Sequence, residues 1–494
     1  MTHPLRQRIA DVLDLRPDHP AVEYEGRWSS WGEVGDHARR ITSLVGHHGG
    51  THPQVGVLLR NTPEHVATFL GVLLAGATLV VINPARGDDR TRSDIATLRL
   101  PIVVGTADDL AVLVAPSNDT TLLAISGPTD PAAVATAARA PANDRPGVAV
   151  RMLTSGTTGP PKRIDLTYDM LARSVLGGNP DSVAAPTEPR RGVAIVNAPL
   201  VHIGGVYRVL QCVTDARSFV LLPRFELDRW ADAVRRHRPK AVSLVPAALR
   251  TVLHSDLGPN DLAGILAVTS GTAPLSAEDA DAFTEKYGIP VLTSYAATEF
   301  GGGVAGWTLA DHGRYWHAKR GSVGRASLGA QLRVVDGHGN PCGPDEAGLL
   351  EVKPGQLGPA ADWIRTTDLA RIDADGFLWI LGRADQAIIR GGFKVMPDDV
   401  RMALENHPAV QGAAVVGRAD DRLGETPVAM VELRDATTVE DLAGFLRTRL
   451  APYEIPTEIA VVETIPRTPS GKADLSAVRQ HFDVARAQEV DDAR

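Results

Sequence analysis

What most restricts how this chain can fold is a rhythm. Up to Phe300, short apolar runs alternate with stretches whose apolar positions recur at helical spacing. The run at 55–59 reads as a buried strand, 63–75 as a helix and 79–82 as a strand again. The pattern returns in strands at 193–196, 218–222, 241–245, 266–269 and 291–293, with helices such as 228–237 and 277–287 between them. That order predicts parallel sheets covered by helices. From about Gly321 the rhythm changes: Asp336-Gly337 and Asp375-Gly376 sit between alternating runs at 331–335, 349–352 and 377–380, a hairpin signature that predicts a compact β unit. After Asp385 an α+β pattern begins, with a helix at 397–406, strands at 412–416 and 428–433, a helix at 439–450 and a strand at 458–462. A domain boundary is expected at Asp385.

Composition excludes several classes. At 494 residues the chain is long enough for two or more domains. A formal charge of -8, from 51 basic and 59 acidic residues, is not a nucleic-acid footprint. No apolar run has membrane-spanning length and the first twenty residues lack a signal-type stretch, so a cytoplasmic protein with no membrane span is expected. Cys212 and Cys342 are far apart and fit neither a disulfide framework nor a thiolate metal site.

The stretch TSGTTGPPK, residues 154–162, follows the apolar run 148–153. Glycines let backbone N–H groups approach an anion, hydroxyls add donors and a lysine adds charge, a composition suited to a polyphosphate. It is not a Walker loop, because Pro160-Pro161 follows the second glycine and Lys162 precedes an extended stretch rather than a helix. A polar, proline-rich surface turn is the plain alternative. Gly301 to Gly306 fits GxGxxG literally but does not follow a strand that opens a βαβ unit. Residues 176–182 faintly resemble a phosphopantetheine-bearing loop, with the wrong spacing.

Further motifs follow that loop in one order: Ser270-Gly271-Thr272-Ala273-Pro274, Tyr295-Ala296-Ala297-Thr298-Glu299, Arg365-Thr366-Thr367-Asp368, Gly382-Arg383-Ala384-Asp385, Gly391-Gly392-Phe393-Lys394 and Pro469-Ser470-Gly471-Lys472. Together they resemble the adenylate-forming superfamily, which includes acyl-CoA synthetases, stand-alone adenylation domains and luciferases. The resemblance runs from Trp31 to Lys472. It implies an α/β fold: a large AMP-binding N-terminal domain over 1–384, with two βα-layered sheets and a small β-barrel unit, and a small mobile α+β lid domain over 385–494.

The chemistry implied by the resemblance joins a carboxylate to the α-phosphorus of ATP, then passes the acyl group to a second nucleophile. Two anions must meet, so cations and aimed donors are needed, with Mg2+ as the usual counterion. On this resemblance Thr154, Ser155, Gly156, Thr157, Thr158 and Gly159 hold the β and γ phosphates with Lys162 nearby. Glu299 ligates Mg2+ and Thr298 bonds the α-phosphate. Tyr295 stacks on adenine opposite the backbone of Gly271, Thr272, Ala273 and Pro274. Asp368 accepts from the ribose hydroxyls and Arg383 binds nearby. Lys472 is the adenylation lysine, Asp385 the hinge, and Gly391 and Gly392 line a passage for pantetheine.

Residues 197–202 carry no acid that would pair with an amino acid's ammonium, and Pro199 to Gly205 instead resembles the motif of fatty and aryl acid ligases, with Val201 where an aromatic is common. His202 would flank the acyl site, a structural histidine being the alternative, with Gly205, Gly301 and Gly302 also at that pocket. The triple glycine 301–303 hints at room for a long or bulky apolar acid. Thr367 departs from the glycine common before the ribose aspartate. The expected substrates are a fatty, alicyclic or aryl acid, ATP and CoA. An amine or a carrier protein as acceptor, a nucleotide-binding protein without turnover and a luciferase-like oxygenase stay open, as does monomer or homodimer.

Overall fold

The computed structural model describes residues 2–115, 118–125, 131–137, 144–154, 162–327, 329–420, 422–468 and 471–492, with the side chains of Thr154 and 485–492 excepted. The alternating rhythm builds three layered sheets. One runs Ala132–Ala135, Thr121–Ala124, Ile102–Gly105, Gln54–Leu58, Thr78–Ile82, Val148–Thr154 and Lys162–Thr167, parallel inside and antiparallel at both edges. Its inner strands Gln54–Leu58, Thr78–Ile82 and Ile102–Gly105 are buried along their whole length, which is why they read as unbroken runs rather than as alternations. A second sheet orders Arg190–Val196, Arg217–Leu221, Pro20–Tyr24 and Arg27–Ser30. The third orders Ala241–Ser243, Ala267–Ser270, Val291–Ala297, Gly302–Gly306 and Arg325–Ala326.

The strand expected to stop at 293 continues to Ala297, because past its parallel pairing with Ala267–Ser270 it meets Gly302–Gly306 antiparallel. That extension places Tyr295 on a strand, beyond the reach of an apolar-run reading.

The β unit after Gly321 is a meander of Gln331–Val335, Gly348–Lys353, Ile364–Ile372 and Leu378–Arg383. Its described pairings leave it an open sheet rather than a closed barrel, since no ladder joins its two outer strands. An isolated bridge, Arg325 to Phe377, and a short exchange of backbone bonds fasten it to the third sheet. Val323 N–H donates to Leu378 O at 2.8 Å, Leu378 N–H to Gly324 O at 2.9 Å, and Ser322 Oγ to Leu378 O at 2.8 Å. This joint sets where Asp368 lies relative to Tyr295.

A smaller α+β body follows. Gly424–Leu433 pairs antiparallel with Val410–Asp420 and parallel with Glu458–Val462, and it touches the hairpin Ile388–Arg390/Phe393–Val395 at Arg390. Successive residues of a strand point to opposite faces, so Ala413 and Val415 enter one apolar core with Leu404 and Leu446, while Ala414 and Val416 enter another with Val478 and Phe482. No described apolar cluster mixes residues from before Ile380 with residues after Ile388. The chain is thus a large N-terminal domain and a smaller C-terminal one. Among the described residues no helix is long and apolar enough to cross a membrane.

Gly324 is the tightest point of the joint. It has φ +89°, and a Cβ there would sit 2.1 Å from the Gly306 carbonyl carbon and 2.2 Å from its oxygen. Gly324→Ala is expected to destabilise the large domain by about 3 kcal/mol or more, read as a lowered urea midpoint with unchanged slope. Wild-type stability in this variant would show that the joint yields.

Candidate active site

The strands Val148–Thr154 and Lys162–Thr167 of the first sheet pair antiparallel, their last register pair being Thr154 with Lys162. Ser155, Gly156, Thr157, Thr158 and Gly159 lie outside the described residues, while Lys162 stands exposed at the mouth. The returning strand is fixed by Arg163, which donates to Val81 O at 3.0 Å and to Asp94 at 2.5 Å.

Strand Val291–Ala297 brings Tyr295 beside the 271–274 segment that follows Ser270. A Cβ at Gly271 would meet Ser294 Oγ at 2.8 Å, so glycine is what allows this segment to lie against the strand. Thr272 is held at φ +73°, an unusual conformation for a β-branched residue. Ala273 and Pro274 are exposed. Across from them, the Tyr295 hydroxyl donates to the Asp368 carboxylate. Tyr295 and Asp368, read from the sequence as separate contacts, are therefore one pair. Burial pushes the Tyr295 phenol up, with the Asp368 charge adding to it. Burial also pushes Asp368 up, while the tyrosine bond and Arg383 pull it back. Asp368 N–H is held by Thr366 Oγ1 at 3.0 Å.

Arg383 is the cross-strand partner of Asp368, yet its guanidinium forks onto Asp385, at 2.9 and 2.6 Å. Thr367 Oγ1 accepts a third bond from it at 2.8 Å. The departure from glycine at 367 therefore has a local role: its hydroxyl steadies the arginine that grips Asp385. Asp385 itself lies in the short turn Ala384–Gln386.

Thr298 and Glu299 occupy the turn Thr298–Phe300, closed by Gly301 N–H donating to Thr298 O at 3.0 Å. Glu299 is exposed. Of the glycines here, Gly301 packs tightly, while a Cβ at Gly303 would meet nothing closer than Tyr295 O at 4.0 Å. Gly301 and Gly302 have φ +70° and +148°, and a Cβ at 301 would meet Met170 Cε at 2.9 Å. Ser174 Oγ donates to Gly301 O at 2.7 Å and Gln356 Nε2 to Gly303 O at 2.8 Å, so this wall is backed by side chains the sequence reading did not single out.

His202 precedes the helix Ile203–Thr214, with its carbonyl accepting from Gly205 and Val206 N–H. A Cβ at Gly205 would lie 2.1 Å from Pro199 O, so the packing there requires glycine. The turn before His202 is held by buried Asn61, which donates to Ala198 O and Leu222 O at 3.1 Å and accepts from Leu200 N–H at 2.7 Å. Sequence reasoning did not single out Asn61, although a polar residue just after an apolar run and leading into Thr-Pro was a signal.

Lys472 comes from the small domain. Thr468 N–H donates to its carbonyl at 2.7 Å, and Gly471 N–H to Thr468 O at 2.8 Å, in a turn where Arg467 and Ala473 form a bridge. Arg467 is anchored on buried Glu432 at 2.8 Å. Lys472 is exposed by surface area, yet enough protein stands around it that lost solvation is the largest influence lowering its pKa. Arg383 lowers it further, while Glu299 and Asp368 act the other way. All three groups belong to the other side of the Asp385 turn. Gly391 and Gly392, at φ +58° and +88°, form the two-residue hairpin turn between Arg390 and Phe393, a geometry that favours glycine at both positions. Among the described residues there is no cluster of three or more His, Cys, Asp or Glu that could hold a metal.

The AMP-binding enzyme family model matches residues 10–358, and the model of the AMP-binding enzyme C-terminal domain matches residues 400–472. The chain is 29% identical to 4-coumarate–CoA ligase-like 8 of Arabidopsis thaliana, over 93% of this chain and 87% of that one. It is 27% identical to indoleacetate–CoA ligase of Aromatoleum aromaticum, over 94% and 96%. Its fold matches the Bacillus subtilis o-succinylbenzoate coenzyme A synthetase in complex with ATP and magnesium ion, with a TM-score of 0.75, 23% identity, and 96% and 98% of the two chains covered. With its sites arranged on that fold, the chain belongs to the AMP-binding enzyme family, the adenylate-forming ligases of acyl-CoA synthetase type.

Proposed function

We propose that this enzyme joins an apolar carboxylic acid, aryl before fatty or alicyclic, to AMP and then passes the acyl group to CoA. The observation that carries the reading is the Lys472 ammonium, brought by one domain into the field of Glu299, Asp368 and Arg383 of the other. A positive group held there would meet both the α-phosphate and the acid, whose mutual repulsion is the obstacle to the first step. The acid's oxygen forms a bond to the α-phosphorus, and the bond to pyrophosphate breaks. The thiol sulfur then bonds the acyl carbon, AMP leaves, and the thiol proton passes to solvent.

Each residue then has a share. Asp368 is one acceptor short of free, since Tyr295 already donates to it. Its remaining lone pairs suit the ribose hydroxyls, and the bond fixes the tyrosine ring to cover the base. Thr298 would donate to the α-phosphate, and 154–159 with Lys162 would hold the outer phosphates. Mg2+ fits the donors present. The single exposed carboxylate of Glu299 is what a cation already ligated by phosphate oxygens asks of the protein. When bound, it would screen the triphosphate charge. Asp385, clamped by Arg383, would be the hinge between 1–384 and 385–494, and Gly391-Gly392 would border the thiol's path.

CoA as acceptor draws support from the relatives named as CoA ligases, and an aryl acid from the coumarate and indoleacetate in those names. The absence of an acid at 197–202 speaks against amino acids. A panel of aryl, alicyclic and fatty acids, each with Mg-ATP, tests the reading: acid-dependent pyrophosphate is expected with some member, followed by an acyl-CoA when CoA is added. Pyrophosphate without any CoA-dependent thioester would overturn the acceptor, and no pyrophosphate with any acid would overturn the ligase reading. Tyr295→Phe, which strips a donor from a half-buried carboxylate, is expected to raise the KM for ATP about tenfold, or about 1.4 kcal/mol, with a smaller change in kcat.

A further inference from the structure

On the adenylation reading, Lys472 serves the nucleotide through the seating of the small domain, and the face between the two domains carries a charge network of its own. Arg250 lies on the helix Pro246–Leu253 and Asp279 on Ala277–Tyr287, both in the large domain. Glu405 ends the helix Pro397–Glu405 of the small one. Arg250 donates to Asp279 at 3.3 Å and, across the interface, to Glu405 at 3.1 Å. Glu405 turns its other oxygen to Arg401, which also donates to Asp398 at 3.1 Å. The side chains of Arg250, Asp279 and Glu405 are 8%, 10% and 4% exposed, which removes this network from the class of surface ion pairs worth little. The field of Asp279 extends to Arg401 and Arg434 of the small domain.

Two features make the network a device of docking rather than a fixed joint. Its charges come from separate apolar cores, so parting the domains exposes them to water without opening either core. It is also incompletely satisfied: Arg250 Nε and Arg401 Nη2 are buried without a hydrogen-bond partner. A buried ionic network with unpaired donors gives back part of its Coulombic gain as desolvation, so its net hold is modest and reversible. Removing one member, in contrast, strands a buried charge and tips the balance toward undocking.

We propose that Arg250 and Glu405 are positioning residues for Lys472: a cross-domain latch that holds the small domain in the orientation where the lysine serves the first half-reaction, a role that rests on the adenylation reading. The latch touches neither nucleotide nor acid. It specifies one arrangement of the two bodies, and water replaces its bonds when they part.

Spin labels on cysteines at exposed Leu266 and Val461, in a Cys342→Ser chain, report the arrangement by pulsed dipolar distances without any substrate. The parent is expected to give one dominant distance. Glu405→Gln, which keeps shape and loses charge, and Arg250→Met are each expected to raise a second, longer population about tenfold, with the double variant no worse than the worse single one. Unchanged distance distributions in both folded variants would overturn the latch. If Arg250→Met fails to fold, Glu405→Gln decides alone. With an acid accepted in the panel, both variants should slow pyrophosphate formation about tenfold while leaving thioester formation from preformed acyl-adenylate unchanged. In a Lys472→Ala chain they should cost nothing further. Equal losses in both half-reactions would reduce the network to a structural role. Because the distance measurement needs no turnover, failure of the ligase reading would leave it standing as a separate result.

Discussion

The interaction on which the rest of the site depends is electrostatic and crosses between domains. Burial lowers the pKa of Lys472, with Arg383 adding to it and Glu299 and Asp368 opposing it, although the nearest of the three in sequence is 89 positions earlier, 472 less 383. A lysine side chain is flexible, so its placement has to come from what carries it. Here that is a hydrogen-bonded turn rooted through Arg467 on buried Glu432, on a sheet with its own two cores. Precision at the ammonium is inherited from the small domain's rigidity and from how that domain is seated.

The receiving side is equally composite. Tyr295 belongs to the third sheet, Asp368 to the meander, and the bond between them joins two units that meet elsewhere at the Gly324 backbone. Arg383, on the neighbouring strand, faces Asp368 in register but spends its fork on Asp385. Tyr295 and Asp368, proposed to hold the nucleotide, are thus linked to the turn at Asp385 through Arg383, which Thr367 steadies. A change at Asp368 would be felt at that turn through Arg383.

Much of the fold was legible because buried parallel strands must be apolar throughout and helices must show a stripe. The runs at 55–59, 79–82 and 218–222 became Gln54–Leu58, Thr78–Ile82 and Arg217–Leu221 for that reason. The hairpin at Asp375-Gly376 was legible from turn chemistry, whereas the strands on either side of Asp336-Gly337 pair only across residues 336–347. Strand residues 294–297 were not, since their order comes from an antiparallel partner rather than from their own apolarity. For the site, residue types gave the charges and donors but not their pairing: nothing local ties Tyr295 to Asp368 or Arg250 to Glu405. Two glycines carry packing that nothing in the sequence displays. At Gly205 and Gly301 the missing Cβ accommodates neighbouring protein atoms, Pro199 O and Met170 Cε, and only coordinates distinguish that from space kept for a ligand.

The most direct measurement separates the two half-reactions in Lys472→Ala. If the ammonium works on the α-phosphate and the acid, acid-dependent pyrophosphate formation should fall by about 10²- to 10³-fold, while CoA consumes preformed acyl-adenylate at a rate near that of the parent. Pyrophosphate formation at the parental rate would contradict the account at its centre.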